Sequence, residues 1–383
     1  MSLQLSLRMV LAGGLALWIL GLGGCTTATE APPKPSVIPV YPPPPEQPRY
    51  IYEKTIRSSL DVVKEDSTSA FRRFATGEQQ RGEGFAKPFD IVVHRGRMFV
   101  GDTVRRTVMV FDPAGMGRFF ELGREEPGRL FLPLGIAKDR DGNIYVCDGT
   151  AKRVVIYNRD GRFLRAVGGR KYFSRPSGVA VDPDGSRVFV VDTGGVDSPD
   201  HHVLVFDAIT GKLINTIGRR GTGDGEFNLP RDAVISHYNN LLYVVDGGNF
   251  RVQVFTLDGK FVRKFGSIGR RSGQFARPKG ISVDRWGNVY VVDAAFGNVQ
   301  IFDPDGRLLM FIGARGNQDK PGAFMLPAGL DIDEADGRLY LVDQFFRKVE
   351  VFRPTEHLRP ATNAGTSPPP AADDGRREAT ATP

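Results

Sequence analysis

One motif governs what this chain can fold into: an apolar, β-branched run that ends on aspartate, written six times. The copies are Phe99-Val100-Gly101-Asp102, Tyr145-Val146-Cys147-Asp148, Phe189-Val190-Val191-Asp192, Tyr243-Val244-Val245-Asp246, Tyr290-Val291-Val292-Asp293 and Tyr340-Leu341-Val342-Asp343, spaced 44 to 54 residues apart. Two further landmarks keep register with it. A proline opens a short run 14 to 16 residues before each Asp, at Pro88, Pro133, Pro176, Pro230, Pro278 and Pro327. A Val-x-Val-Phe-like run follows each Asp, as in Val203-Leu204-Val205-Phe206 and Val252-Gln253-Val254-Phe255. A repeat of this period cannot bury its apolar face alone, so the units must stack against one another.

Each unit holds four β-type runs. The second and third are joined by a loop. Tight turns rich in Asp-Gly, such as Asp141-Gly142, Asp160-Gly161 and Asp258-Gly259, join the others. Asp-Gly between alternating apolar runs is a strong hairpin signal. Four antiparallel strands per period describe a propeller blade. The expected fold is therefore all-β: a six-bladed β-propeller of four-stranded antiparallel blades. Only five outer strands follow their blades, because the last unit runs from Val351-Phe352 into Pro354. The sixth is expected from the N-terminal side, where Ala70-Phe71-Arg72-Arg73-Phe74-Ala75-Thr76-Gly77 has the Phe-x-x-Phe-x-x-Gly form of an outer strand. Such a strand closes the ring and removes the free edges at the seam.

The wording Pro-x-Gly-Ile-x-Val-Asp, Gly-Asn-x-Tyr-Val-x-Asp, Asn-x-Arg-Val-Gln-Val-Phe resembles the NHL repeat. It is clearest in residues 278–284, 287–293 and 249–255, and covers residues 70–353. The resemblance implies the propeller and leaves the activity open, since domains of this kind serve in RNA-binding regulators, an amidating lyase, kinases and bacterial surface proteins.

The flanks read differently. Residues 1–24 have one basic residue, Arg8, then a long apolar run and small residues, the pattern of an export signal. Leu22-Gly23-Gly24-Cys25 resembles the lipobox of bacterial lipoproteins, which implies lipidation of Cys25 and, with Thr26 rather than Asp following, sorting to an outer membrane. Several acyl chains, at roughly 0.8 kcal/mol per buried methylene, anchor such a chain for good. Residues 25–50 are expected to be anchor and Pro-rich linker, 51–353 the propeller and 354–383 a disordered tail rich in Ala, Thr and Pro. Cys147, the other cysteine, is expected to be a buried core thiol.

Candidate site residues follow from departures within the repeat. The six Asp are read as architecture, because a residue that every blade needs caps its own turn. Basic residues gather on the loop face that carries the Asp ends: Arg106, Lys152, Arg153, Arg251, Arg347 and Lys348 after the Asp, with Arg231 and Lys279 on the inner strands. Of these, Arg153 and Arg251 stand at the repeat's own arginine position, whereas Arg106, Lys152, Arg231, Lys279 and Arg347 depart from it. Phe250, Phe296 and Phe346 are apolar for loop residues and suit an interface. In the third blade an insertion brings Asp197, Asp200 and His202 near one another in sequence, a weak metal set.

No phosphate loop, Ser-His-Asp spacing or Cys-x-x-Cys occurs, and five histidines offer little to a metal-dependent lyase. The expected function is a lipid-anchored cell-envelope binding or scaffolding protein without a cofactor. Its partners would be an envelope protein or an anionic polymer, in keeping with a net charge of +7, and not nucleic acid. Two alternatives stay open: a metal-dependent lyase or hydrolase at the channel mouth, and non-catalytic glycan or peptidoglycan binding.

Overall fold

The computed structural model describes residues 38–65, 74–77 and 79–355. Cys25, the export segment and the tail after 355 lie outside them. Six sheets surround a central axis, each with its first strand innermost. The fourth blade is typical: Pro230–Ser236, Leu241–Asp246, Arg251–Thr256 and Phe261–Phe265, paired antiparallel in that order. The inner strands neighbour one another around the ring, and Pro327–Ile332 of the sixth blade meets Pro88–His94 of the first.

Side chains alternate along every strand, so each sheet presents one apolar face to the blade before it and one to the blade after. The core is therefore a set of interblade layers. One layer joins Tyr243, Val245, Val252 and Phe275 to Ile281, Val289 and Phe302. Another buries Cys147 with Val154, Val190 and Phe206. Burial pushes the Cys147 thiol well above the usual range, which keeps it in the unreactive protonated form.

Ring closure is achieved from the N-terminal side, but by a different segment from the one expected. The outer strand of the last blade is Tyr50–Ile56, antiparallel to Lys348–Pro354, with Tyr50 opposite Pro354 and Ile56 opposite Val349. Residues 74–76, within the expected segment, form a helical turn, and Phe74 is 88 % exposed. Residues 70–73 lie outside the described residues. Tyr50-Ile51-Tyr52 through Thr55-Ile56 is rich in the aromatic and β-branched residues that suit a half-buried pleat. It lacks the terminal glycine of the other outer strands, and, arriving from the N-terminus, it has no hairpin turn to announce it. Val40–Tyr41 adds a fifth strand outside it, so the sheet begins within the segment expected to be linker. Tyr41 packs its ring edge-on to Phe352, with centroids 5.8 Å apart.

Candidate functional site at the channel mouth

The Asp-ended second strands and Pro-led first strands place all six repeat Asp on one face of the ring. Each carboxylate is fully buried and bound by the fold. Asp102 accepts from the backbone N–H groups of Ala86 and Lys87 on one side, and from Val104 and Arg105 on the other, all within 2.7–3.0 Å. Asp148, Asp293 and Asp343 repeat the pattern, from Phe131 N, Ala276 N and Met325 N. This stitches the connector from the preceding blade to the loop that follows, and leaves no ring of free carboxylates.

The residue five places after the Asp serves the same connector. Arg251 is buried and donates to Asp246 and to the carbonyls of Thr222, Gly223 and Glu226. Lys348, fully buried, reaches Glu350 at 2.5 Å, Asp319 at 3.0 Å and the carbonyl of Ala323 at 3.1 Å. Arg153 donates to the carbonyl of Arg129. Arg251 and Lys348 are therefore interior clamps, not docking residues, and Arg153 does the same in the second blade. The sequence could not separate these from free cations, because the carbonyls they bind come from loops about 25 residues earlier. Phe250 is likewise half-buried against the layer between the fourth and fifth blades. Phe296 and Phe346 are half-buried, whereas Phe345, edge-on to Phe346 at 5.2 Å, is exposed.

Arg106 and Arg347 are exposed and Lys152 half-buried, all with left-handed backbones (φ 60°, 53° and 56°), where the fifth blade has Gly297 at φ 67°. A non-glycine residue there costs roughly 1–2 kcal/mol. A backbone bond to the repeat Asp holds two of them, Arg106 N to Asp102 O and Lys152 N to Asp148 O, both at 2.8 Å.

Arg231 and Lys279 meet at the axis. The residue after each inner-strand proline faces the channel, and these two, with Arg277, line a cavity of about 290 Å³ at the mouth. Among the described residues the side chains of Arg231, Arg277 and Lys279 make no hydrogen bond or ion pair. Burial, then Arg277 and Arg231, push the Lys279 ammonium down to about 8. Burial also lowers Arg231, reinforced by Arg175 and Arg277.

Beneath them lie two residues that sequence reasoning passed over. Four blades write Pro-x-Gly on the inner strand; the first and fourth, opposite one another in a ring of six, write Pro-Phe-Asp and Pro-Arg-Asp. Asp90 and Asp232 therefore project where other blades have no side chain. Burial raises Asp90 well above the carboxylate range, with Asp232 the next cause, and burial pushes Asp232 up to about 7. Asp90 accepts from Ile136 N at 2.9 Å, and Asp232 from Ala233 N at 2.9 Å and Ile281 N at 3.3 Å. Gln344, also on the cavity wall, is 8 % exposed, and its Nε2 has no partner among the described residues. The broken Pro-x-Gly was the available signal.

The insertion in the third blade is held by His201. Its Nδ1 accepts from Leu229 N and its Nε2–H donates to the Gly195 carbonyl at 2.9 Å. His202 lies 3.9 Å from Asp192. Among the described residues no three of His, Cys, Asp and Glu converge on a metal position, so Asp197, Asp200 and His202 are not brought together as a ligand set. His237, with Nδ1 2.9 Å from the Glu334 carboxylate, lines the opposite opening of the channel.

A family profile described as "6-bladed beta-propeller" matches residues 177–251 and 235–295. The NHL repeat-containing protein 3 of Mus musculus is 27 % identical over 177 residues, 43 % of this chain and 50 % of that protein. The chain is a six-bladed propeller of the NHL type. Other relatives of this NHL propeller are larger proteins. Peptidyl-glycine alpha-amidating monooxygenase A of Xenopus laevis is 28 % identical over 67 % of this chain and 28 % of its own length. Protein brain tumor of Drosophila melanogaster is 30 % identical over 36 % of this chain and 12 % of its own. The chain spans under a third of the first curated relatives it matches. Among solved structures, a Xanthomonas campestris gluconolactonase superposes with a TM-score of 0.53 at 16 % identity, over 79 % of this chain and 98 % of that one. A streptogramin B lyase does so at 0.52 and 13 %, over 71 % and 94 %. At these identities the likeness is one of fold.

Proposed function

We propose that this NHL propeller is a lipid-anchored binding protein of the cell envelope that captures an anionic group at the mouth of its axial channel. The observation that carries the reading is the convergence of Arg231, Arg277 and Lys279 on one cavity, none of them in a direct ion pair or side-chain hydrogen bond among the described residues. Unpaired cations gathered by a ring focus the field along its axis. Arg231 and Lys279 are held by inner strands, and Arg277 directly precedes the second of these; a site built on strands is placed more precisely than one on loops. Exposed Arg106 and Arg347 and half-buried Lys152 extend the positive face outward and would steer a charged polymer or an acidic protein surface toward the mouth.

The anchor rests on the Leu-x-Gly-Cys ending at Cys25, with the Pro-rich stretch before residue 38 as spacer. Metabolic labelling with palmitate is expected to mark the wild-type chain and not Cys25→Ser. Equal labelling of both would remove the anchor from the reading. For the mouth, the probe is a heparin-derived tetrasaccharide, short enough to occupy one site. Arg231→Glu/Lys279→Glu is expected to weaken its binding at least tenfold. That corresponds to at least about 1.4 kcal/mol, just under the lower end of the range of about 1.5–3 kcal/mol for one hydrogen bond to a charged group.

A further inference from the structure

We propose that the mouth cavity is a subsite for one sugar acid, a uronate-type residue, whose carboxylate is held by Arg231, Arg277 and Lys279 and whose hydroxyls are held by Asp90, Asp232 and Gln344. This rests on the anion-binding reading and names the ligand class. The cavity is bipolar: cations at the rim, and two carboxyl groups with an unpartnered amide N–H donor on its walls. A simple anion such as phosphate uses only the rim and meets acidic groups below it. A sugar acid uses both parts.

The acidic part has spare capacity. An ionised carboxylate offers about four acceptor positions. Asp90 uses two, on Ile136 N and Ile91 N, and Asp232 uses two, on Ala233 N and Ile281 N. Burial raises both groups, which favours a protonated carboxyl that can donate as well as accept. Hydroxyls need that mixture, whereas the ammonium of an amino acid needs full negative charge. Gln344 supplies the independent sign of a missing ligand. An amide donor this buried is ordinarily paired, and leaving it unpaired costs about 1–3 kcal/mol. The nitrogen itself is covered, and a turn of the Gln344 side chain, which lines the cavity, would bring it to a hydroxyl oxygen. Phe89, on the same wall, offers an apolar face to the C–H side of a sugar ring. At about 290 Å³ the cavity sits at the lower end of ligand pockets, roughly 300–1,000 Å³, which suits one monosaccharide unit or the end of a chain.

The test is calorimetric titration of the full chain with glucuronate, glucose, inorganic phosphate and glutamate. Glucuronate is expected to bind at least tenfold tighter than the other three. Asp232→Asn and Gln344→Leu should each weaken it about tenfold, and Arg231→Glu should remove it. Asp90→Asn serves if either variant shows a disturbed melt. If phosphate binds as well as glucuronate, Arg231→Glu abolishes both and Asp232→Asn changes neither, the anion reading stands and the sugar-acid subsite falls. Tighter binding of glutamate or glucose also overturns the subsite, as does silence toward glucuronate while the heparin tetrasaccharide still binds. If neither the tetrasaccharide nor any small probe binds, both readings fall.

Discussion

A chain lacking residues 38–57 is expected to lose cooperative thermal unfolding altogether. Those residues supply the outer strand of the last blade, and with it the pairing that joins the ring's two ends in one sheet. Tyr50 and Ile56 are fully buried in the two layers flanking that blade. Burying a large apolar side chain contributes about 1.5–3 kcal/mol. The Tyr50 hydroxyl also meets that of Tyr290 at 3.0 Å, which in turn binds Asp284 at 3.0 Å, so removing the strand leaves a buried polar chain without its end. The deletion also bares the edge of Lys348–Pro354, a template for aggregation. Against a typical total of about 5–15 kcal/mol, these losses take most of the margin. Tyr50→Ala is the milder form, with an expected loss of about 3–5 kcal/mol by analogy with other buried aromatics. Phe74→Ala, at an exposed position, should leave the melt unchanged. A truncated chain that melts cooperatively at the wild-type temperature would contradict the closure.

Lys348→Met is expected to cost as much as Tyr50→Ala. It leaves the Glu350 carboxylate, fully buried, with only Gly322 N at 2.9 Å. Breaking a buried ion pair from one side costs about 3–5 kcal/mol. For a domain this large that lowers Tm by on the order of 10 °C. Removing both charges, Lys348→Met/Glu350→Met, should restore most of it, since a buried pair is worth little against apolar residues of similar volume. The pH dependence has a definite sign. Burial already raises Glu350, and losing the lysine raises it further. A carboxyl whose folded pKa lies above its unfolded value favours the folded state at low pH and loses that contribution as pH rises through the folded pKa. The deficit of Lys348→Met should therefore shrink as pH falls through the raised pKa of Glu350. A melt of this variant that matches wild type at alkaline pH would show the ion pair to be dispensable.

Much of the architecture was legible because the repeat forces it. Pro, Asp and Val-x-Val-Phe recur in register, and each copy has the same backbone to satisfy, so blade count and strand order follow from local wording. The closing strand was not legible from that wording, because Tyr50–Ile56 is the outer strand without a neighbouring turn. The basic face was legible as a face but not residue by residue. Arg251 and Lys348 look like free cations in sequence and are clamps in space, since their partners include main-chain carbonyls of a connector. Arg231 and Lys279 were found because they depart from the repeat. Asp90 and Asp232 depart from it equally, at the position where the other blades have glycine. They matter because blades one and four face each other across the axis, a relation between distant segments.

The most direct measurement is the affinity of the heparin tetrasaccharide for wild type, for Arg231→Glu/Lys279→Glu and for Arg106→Glu/Arg347→Glu across neutral to alkaline pH. The mouth predicts a loss of at least about tenfold in the first variant and less than about threefold in the second. It also predicts that wild-type affinity falls as pH rises above neutral, as Lys279, pushed down to about 8, loses its proton. Equal losses in the two variants, or an affinity flat across that range, would contradict capture of an anion at the channel mouth.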